Sequence, residues 1–435
     1  MLDNILFQIR KIIPKKLYAW AQPAYHQVMA LLGALIYRFP SRKLTIIAVT
    51  GTKGKSSTTE ILNAIFERAG YKTALTNTIR FKIGETSQDN LYKMSMPGRF
   101  FMQKFLRNAV SAGCTHAILE MTSQGALFGR HKYITPSAVI VTNVSPEHID
   151  AHGSFENYIG CKVKIAKLLE KSSKKLQKGL NNQNNINTLI LNSDDINHRP
   201  FLEVKSLQKV MFSVNQFSPY KLKENGIDFT YQTAQNAPVS SPLSGLFNLS
   251  NIGAAISCAE IFGIGPTIII SAISNFNGIK GRVEYVKAGQ DFDVVVDYAH
   301  TPDSLEKFYQ VFGEKRKICV LGGTGGGRDR AKRATMGAIA DQYCDEVIIT
   351  NEDPYDEDPM QIINDVASGI KESKPKIILD RREAIATAVA EAQTGDAVLI
   401  TGKGTDPYIM GANGSKVPWS DVAVAREEIQ KKLIV

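Results

Sequence analysis

LTIIAVTGTKGKSSTTEIL, residues 44–62, reads as a buried strand, a glycine loop and the start of a helix. The apolar run 44–49 suits a strand covered on both faces. From 55 to 68 apolar residues recur at helical spacing, at Ile61, Leu62, Ile65 and Phe66. Between the two lies Gly51-Thr52-Lys53-Gly54-Lys55-Ser56. A loop that feeds a helix N-terminus aims unpaired N–H groups and the positive end of the helix dipole at an anion, and small residues admit polyphosphate. In that setting Lys55 reaches the outer phosphates and Ser56 a magnesium ion. The full P-loop pattern is not met, because Val49 occupies its first glycine position.

Composition frames this stretch. The chain has 435 residues, 43% hydrophobic and 22% charged, enough for two or three globular domains with a sizeable core. Its five cysteines, Cys114, Cys161, Cys258, Cys319 and Cys344, form no CxxC pair, so neither a disulfide framework nor a zinc ribbon is expected and a reducing cytoplasm fits. The net charge of +10 is uneven: residues 1–43 hold Arg10, Lys11, Lys15, Lys16, Arg38, Arg42 and Lys43 against Asp3 alone. The remainder calls for no nucleic-acid partner, and phosphorylated anionic substrates suffice.

Residues 1–43 read as a basic amphipathic extension of two short helices, with Leu2, Ile5, Leu6, Ile9, Ile12 and Ile13 in the first and the apolar run 28–37 in the second. The run is too short to cross a bilayer, and no signal-peptide cleavage site follows. Such helices either pack on the body or lie on an anionic membrane surface. From 44 on, the strands LTIIAVT, KTALT, HAILEM, SAVIVTN and NTLILN alternate with helices or longer links, which implies a parallel or mixed α/β sheet; 171–190, rich in Lys, Asn and Gln, reads as a solvated insertion. After Asn275-Phe276-Asn277-Gly278 a second series, DVVVDY, KICVLGG, EVIIT, KIILD and AVLIT, begins. The expected domains are therefore 44–278 and 279–435.

Glu120 ends the strand AILE and His148 follows AVIVTN, so both are expected at the carboxyl edge of the first sheet, where ligands of α/β folds bind. A glutamate there offers magnesium a hard oxygen. Lys162 by spacing alone is a solvated helix lysine. In the second series Arg282 follows a glycine, Asp297 and His300 end a strand, and the loop 322–327 is so rich in glycine that close approach of a ligand to the backbone is expected.

Taken together, VTGTKGKSST (49–58), LEMTSQ (119–124), TNVSPEHIDAHGSFENYIGCK (142–162), LNSDD (191–195), GLFNLSNIGAA (245–255), GRVEYV (281–286), VVDYAHTPDSLE (295–306), GGGRDRAKR (325–333) and TGKG (401–404) resemble the Mur ligase superfamily, most closely the UDP-N-acetylmuramoyl-dipeptide ligases. That family's phosphate loop also lacks the first P-loop glycine. The resemblance implies an α/β fold, with a central P-loop-type ATPase domain of mainly parallel sheet and a C-terminal Rossmann-like domain that binds the amino acid. It implies an ATP-dependent carboxylate-amine ligase of cell-wall peptidoglycan synthesis, working through an acyl phosphate.

By the same resemblance Gly51, Thr52, Lys53, Gly54, Lys55, Ser56 and Ser57 hold the ATP phosphates. Ser56 and Glu120 hold one Mg²⁺ and His148 a second, and Lys162 matches the lysine whose CO₂-derived carbamate ligates magnesium. Asn248 and Asn251 correspond to adenine contacts, and Arg282, Asp297 and His300 to C-terminal ATP contacts. Ser123 and Arg130 correspond to contacts with the muramoyl peptide, and Arg328, Asp353, Tyr355, Gly402 and Asp406 to contacts with the amino acid.

Three departures shape the expectation. The usual N-terminal UDP-binding domain is not seen, which opens a lipid-linked acceptor, a partner subunit, or delivery to the inner face of the membrane by 1–43. The motif Asp-Asn-Pro-Arg reads Glu352-Asp353-Pro354-Tyr355, with Asp356, Glu357 and Asp358 following, which favours L-lysine over meso-diaminopimelate as the diamino acid. Gln124 replaces a histidine, and Met-Ser-Met-Pro occupies 94–97. The alternatives are a related ligase acting on a lipid-linked or other glutamyl acceptor, and a non-catalytic nucleotide-binding scaffold.

Overall fold

A computed structural model describes residues 15–147, 149–176, 186–327 and 330–434. The chain divides into two compact units, the described part of Met1–Phe212 with Ala254–Gly265, and that of Ser213–Gly253 with Pro266–Val435.

The first unit is built on an eight-stranded sheet of β1 (Thr45–Thr50), β2 (Thr73–Thr76), β3 (Arg80–Ile83), β4 (Thr86–Asp89), β5 (His116–Glu120), β6 (Ala138–Val141), β7 (Thr188–Asn192) and β8 (Gln208–Phe212). Its order is β4-β3-β2-β5-β1-β6-β7-β8, parallel except at β2-β3 and β3-β4. Strand β1 sits between β5 and β6, with Val49 opposite both Glu120 and Ile140. The residues that follow these strands therefore gather at one edge. Ile46, Ala48, Leu119, Val139, Val141 and Leu191 join a core completed by Met102, Leu106, Tyr158 and Ile165 from flanking helices.

Expectation and structure part in three places. The second expected helix, over 28–37, is the end of a longer one, Lys15–Ile36, followed by a single turn at Pro40–Lys43; the first, over 2–13, lies outside the described residues. That helix packs on Arg99–Ser111, and Arg107 donates to the Tyr37 carbonyl oxygen at 2.9 and 2.6 Å. Its other face leaves Tyr25, Val28, Leu32, Leu35 and Ile36 exposed. The insertion expected over 171–190 is not solvated throughout. The helix Leu168–Leu176 runs into it and the buried β7 closes it, while 177–185 lie outside the described residues. Finally, Cys319 and Cys344 are bonded, with Cα atoms 6.1 Å apart, while Cys114, Cys161 and Cys258 are free and buried. A sequence separation of 25 hides a contact that the fold makes by placing the end of a helix beside a strand.

In the second unit β9 (Tyr220–Lys223), β10 (Gly226–Tyr231) and β11 (Ala237–Ser241) form an antiparallel sheet. The strands β12 (Glu284–Tyr285), β13 (Asp293–Val296), β14 (Lys317–Leu321), β15 (Glu346–Ile349), β16 (Lys376–Ile377) and β17 (Ala397–Ile400) make a second, in the order β12-β13-β17-β14-β15-β16. Only the β12-β13 pairing is antiparallel. Alternate residues feed separate cores on its two faces, Val295, Cys319 and Leu399 on one and Val294, Val320 and Val398 on the other. A hairpin of β18 (Tyr408–Met410) and β19 (Lys416–Pro418) follows. The buried Arg381 guanidinium donates to both Asp421 carboxylate oxygens, at 2.8 and 2.7 Å.

Candidate active site

The phosphate loop leaves the carboxyl end of β1 and enters the helix Lys55–Arg68. Gly51 has φ +148°, and a Cβ there would lie 2.0 Å from Thr142 Oγ1, so the loop fits against the β6 end only with glycine. Gly54 caps the helix in the left-handed conformation. Side chains then fix the loop. Thr52 Oγ1 lies 2.9 Å from the Tyr158 hydroxyl, the Lys53 amide donates to Asn143 Oδ1 at 2.9 Å, and Lys53 Nζ meets Glu147 at 3.0 Å. Lys55 Nζ curls onto the Thr52 carbonyl oxygen, 2.8 Å away, and Ser56 and Ser57 are buried in the first helical turn.

Glu120, at the end of β5, is 2% exposed and held by several donors. Ser56 Oγ reaches its Oε2 at 2.7 Å and the Thr78 amide does so at 3.1 Å; Thr78 Oγ1 and Ser95 Oγ reach Oε1 at 3.0 and 2.8 Å. A hydroxyl and a carboxylate thus meet at the start of the phosphate-loop helix, the hard-oxygen chemistry that magnesium prefers. Among the described residues no three His, Cys, Asp or Glu side chains cluster as metal ligands. Magnesium does not require that, because nucleotide phosphates and water complete its octahedron.

Lys162 is not the surface lysine that its spacing suggests. It is 1% exposed, its Nζ donates to the Gly51 carbonyl oxygen at 2.5 Å, and it lies 4.4 Å from the centre of the Tyr158 ring. Burial, and then the Lys55 charge, push its proton affinity well below that of an ordinary lysine, against the opposing pull of Glu147, Cys161 and Glu120. The fold therefore holds beneath the phosphate loop an amine that gives up its proton more readily than an ordinary lysine. His148 lies outside the described residues.

Of the expected acceptor contacts, Ser123 is buried and its Oγ lies 3.1 Å from His152 Nε2. Burial lowers the proton affinity of His152, whose Nδ1 has no hydrogen-bond partner among the described residues. Gln124, the family's histidine position, points to solvent, so the imidazole beside Ser123 comes from another element. Arg130 Nη1 donates to the Met96 carbonyl oxygen at 2.5 Å.

In the second unit, Asn251 Nδ2 donates to Asn248 Oδ1 at 3.1 Å, both residues buried on the helix Leu246–Ile261. The Arg282 guanidinium lies 4.4 Å from the Tyr298 ring centre, and the His300 ring is 4.7 Å from the same ring. Asp297 ties the turn by accepting the Val283 and Ala299 amides at 2.8 and 2.7 Å. Arg282, Asp297 and His300 therefore share one corner beyond β13.

The amino-acid residues also gather at strand ends. Asp353 Oδ1 accepts Lys403 Nζ and the Met410 amide, each at 2.8 Å, and Lys403 Nζ lies 3.5 Å from Asp406. A Cβ on Gly402 would meet Glu352 Oε2 at 2.4 Å, and the Tyr355 amide donates to the Met410 carbonyl oxygen at 3.0 Å. Arg328 lies outside the described residues. The acidic run is less available than its sequence suggests. Asp353 is paired with Lys403 and Glu357 with Arg333, Asp358 caps a helix, and Glu352 has its carboxyl pushed up by burial. The glycine loop packs on the same segment: a Cβ on Gly325 would lie 2.1 Å from the Pro354 carbonyl oxygen. Sequence reasoning missed Thr78, Ser95, Tyr158, His152 and Lys403, and for all but Thr78 the residue stood inside a quoted stretch.

The Mur ligase middle domain matches residues 49–259 and the Mur ligase glutamate ligase domain matches 281–404. A UDP-N-acetylmuramoyl-L-alanyl-D-glutamate–2,6-diaminopimelate ligase of Syntrophomonas wolfei is 34% identical, over 94% of this chain and 83% of its own. A UDP-N-acetylmuramyl-tripeptide synthetase of a Roseiflexus species is 35% identical, over 94% and 82%. Among solved structures, a UDP-N-acetylmuramoyl-L-alanyl-D-glutamate–2,6-diaminopimelate ligase, 27% identical, superposes with a TM-score of 0.60 over 90% of this chain and 79% of that one. Mycobacterium tuberculosis folylpolyglutamate synthase, 15% identical, shares the fold with a TM-score of 0.67 over 87% and 91%. With a phosphate loop, a hydroxyl-carboxylate pair and a buried amine at one sheet edge, and matches of this extent, the chain belongs to the Mur ligase family.

Proposed function

We propose that the protein adds a diamino acid to a muramoyl-dipeptide acceptor, in the cytoplasm, as an ATP-dependent step of peptidoglycan synthesis. The observation that carries this reading is the meeting of Ser56 and Glu120 at the phosphate loop, above the buried Lys162 amine. An oxygen of the acceptor carboxylate attacks the γ-phosphorus, the bond to ADP breaks, and an acyl phosphate forms. The amine then attacks the acyl carbon, phosphate leaves with one carboxylate oxygen, and the amine gives up a proton. Activation is required because phosphate is a far better leaving group than oxide.

In this scheme the loop amides of 51–57 and Lys55 hold the phosphates, while Ser56 and Glu120 would hold magnesium, with His148 as the expected ligand of a second ion. Bound magnesium neutralises phosphate charge. Lys162, buried and with its proton affinity lowered, would add to CO₂ with loss of one proton to solvent, and the carbamate would supply an anionic oxygen where an ammonium would repel the metal. Asn248, Asn251, Arg282, Asp297 and His300 serve the nucleotide, Ser123 and Arg130 the acceptor, and Arg328, Asp353, Tyr355, Gly402 and Asp406 the amino acid. Functionally, 44–278 is read as the ATP domain and 279–435 as the amino-acid domain. The internal pairing of Asp353 and Glu357 removes the electrostatic ground for preferring L-lysine, and relatives named for 2,6-diaminopimelate favour that amino acid.

Among the described residues no helix is long and apolar enough to cross a membrane. The exposed stripe Tyr25, Val28, Leu32, Leu35 and Ile36, with Arg38, Arg42 and Lys43 exposed at its end, fits the surface of an anionic bilayer instead. Anionic liposomes should retain the full chain and Leu32→Glu/Leu35→Glu should release it; equal retention of both would sink the membrane reading.

Purified protein with Mg²⁺, bicarbonate, ATP and UDP-N-acetylmuramoyl-L-Ala-D-Glu should release phosphate only when meso-diaminopimelate or L-lysine is added, with a tripeptide of the corresponding mass. Release without an amino acid, or none with either acceptor form, UDP-linked or lipid-linked, contradicts a ligase and returns the scaffold reading.

Lys162→Met should lower turnover by at least about 100-fold. In CO₂-depleted buffer at neutral pH it should also raise the melting temperature, by about 2 °C. The sign follows from linkage. A lysine whose proton affinity is depressed by folding binds fewer protons folded than unfolded, so it costs stability below its unfolded pKa and progressively less as pH rises toward that value. A variant that melts lower while keeping activity would refute both the burial cost and the role.

A further inference from the structure

His152 stands between Ser123 and the side chains that hold the phosphate loop. It closes the single turn Ile149–His152, ahead of Gly153 in the left-handed conformation at φ +79° and of Ser154, which caps the helix Phe155–Ala166. Asn157 Nδ2 donates to the His152 carbonyl oxygen at 3.1 Å, so the turn is tied to that helix. The ring is buried and meets Tyr158 edge-on, with centres 5.3 Å apart and planes at 72°. Tyr158 in turn meets Thr52 of the phosphate loop at 2.9 Å. Nε2 of His152 lies 3.1 Å from Ser123 Oγ, at the start of the short helix Ser123–Leu127.

Which atom donates across that contact is set by the second ring nitrogen. Burial, and then Lys162 and Lys164, lower the proton affinity of the imidazole below its ordinary value, so near neutral pH the ring carries one N–H. With that hydrogen on Nδ1, a buried donor would face no acceptor, because Nδ1 has no hydrogen-bond partner among the described residues. With it on Nε2, Nδ1 keeps only an unused lone pair, a state that folded proteins tolerate more often than an orphaned N–H. Nε2–H therefore donates to Ser123 Oγ. The serine accepts in its one side-chain hydrogen bond among the described residues, and its own hydrogen is left to donate. A hydroxyl held in this way suits an anionic oxygen, which makes a stronger hydrogen bond than a neutral one.

We infer that His152 is a positioning residue, whose Nε2–H fixes Ser123 so that the serine hydroxyl donates to a carboxylate oxygen of the acceptor. The acceptor half of this inference rests on the ligase reading above; the direction of the hydrogen bond from His152 to Ser123 does not.

The first test needs no turnover. In full-length protein labelled with ¹⁵N-histidine, a long-range ¹H–¹⁵N correlation spectrum separates the two neutral tautomers. The His152 signal is identified by its loss in His152→Gln, or in His152→Phe should the first variant fail to fold. The Nε2–H form is expected, with its Nε2 resonance moved by Ser123→Ala. The Nδ1–H form, or a resonance indifferent to Ser123→Ala, would overturn the inference.

In turnover with UDP-N-acetylmuramoyl-L-Ala-D-Glu, His152→Phe keeps a ring against Tyr158 but loses the donor. It should raise the acceptor KM by at least about 10-fold, with kcat within about threefold and the ATP KM within about twofold. His152→Gln, whose amide can donate in place of Nε2–H, should bring the acceptor KM back to within about threefold of wild type. Because the two residues act through one hydrogen bond, His152→Phe/Ser123→Ala should be no worse than Ser123→Ala alone. Losses that add, or an ATP KM that rises as much as the acceptor KM, would mean that the ring only props Tyr158 and the loop, and the positioning role would fall. Wild-type protein that shows the Nε2–H tautomer but forms no amide with a UDP-linked or lipid-linked acceptor refutes the ligase reading, and with it the acceptor half, while the hydrogen bond stands. Amide formation with an unchanged acceptor KM in His152→Phe refutes the inference and leaves the ligase reading intact.

Discussion

Lys162 buries an amine against the Gly51 carbonyl oxygen, and the first unit is arranged to make that contact possible. Its helix must lie close enough to the carboxyl edge of the sheet for Tyr158 to meet Thr52 and for Nζ to reach the loop from below. The loop, in turn, must press on Thr142 at the end of β6 so tightly that a Cβ at position 51 has no room. A buried lysine is costly as an ammonium, so the arrangement shifts this amine toward its reactive neutral form.

The architecture around this contact was largely legible. A buried strand, a glycine loop and a helix in that order, followed by strands ending in Glu120 and in the 142–148 segment, put the phosphate loop and its carboxylate at one sheet edge by topology alone. What the sequence did not reveal was the set of groups that hold Glu120. Thr78 and Ser95 flank the hairpin of β3 and β4, and the wholly polar, exposed β4 carries none of the continuous apolar run that marks β1 or β5. The Cys319–Cys344 bond was invisible for a related reason, since residues without a motif between them become neighbours only through the fold. Lys162 itself was misjudged by spacing and corrected by resemblance to a family, because helical periodicity does not record how deep a flanking helix lies.

Charge in the second unit teaches a different lesson. Five acidic residues between 352 and 358 suggest an attractive field for a cation when read in a line. Folded, Asp353 faces Lys403, Glu357 faces Arg333, and Glu352 is pressed against Gly402 where burial favours its protonated form. The run is thereby spent on fastening the loops after β14, β15 and β17 to each other. The first unit shows a second case, since Arg99 and Arg130 lie on different elements yet both meet Phe128, one at its carbonyl oxygen and the other over its ring. Net charge per segment misleads in both, and the pairing in space decides.

The central claim is that the loop, Glu120 and Lys162 activate a carboxylate by phosphorylating it. The most direct measurement follows oxygen: with an acceptor whose reacting carboxylate carries ¹⁸O, the released phosphate is analysed by mass spectrometry. An acyl phosphate predicts one ¹⁸O in each phosphate released together with amide. Amide formed with unlabelled phosphate would mean that the γ-phosphoryl group goes to water instead, and the account of this site would fail.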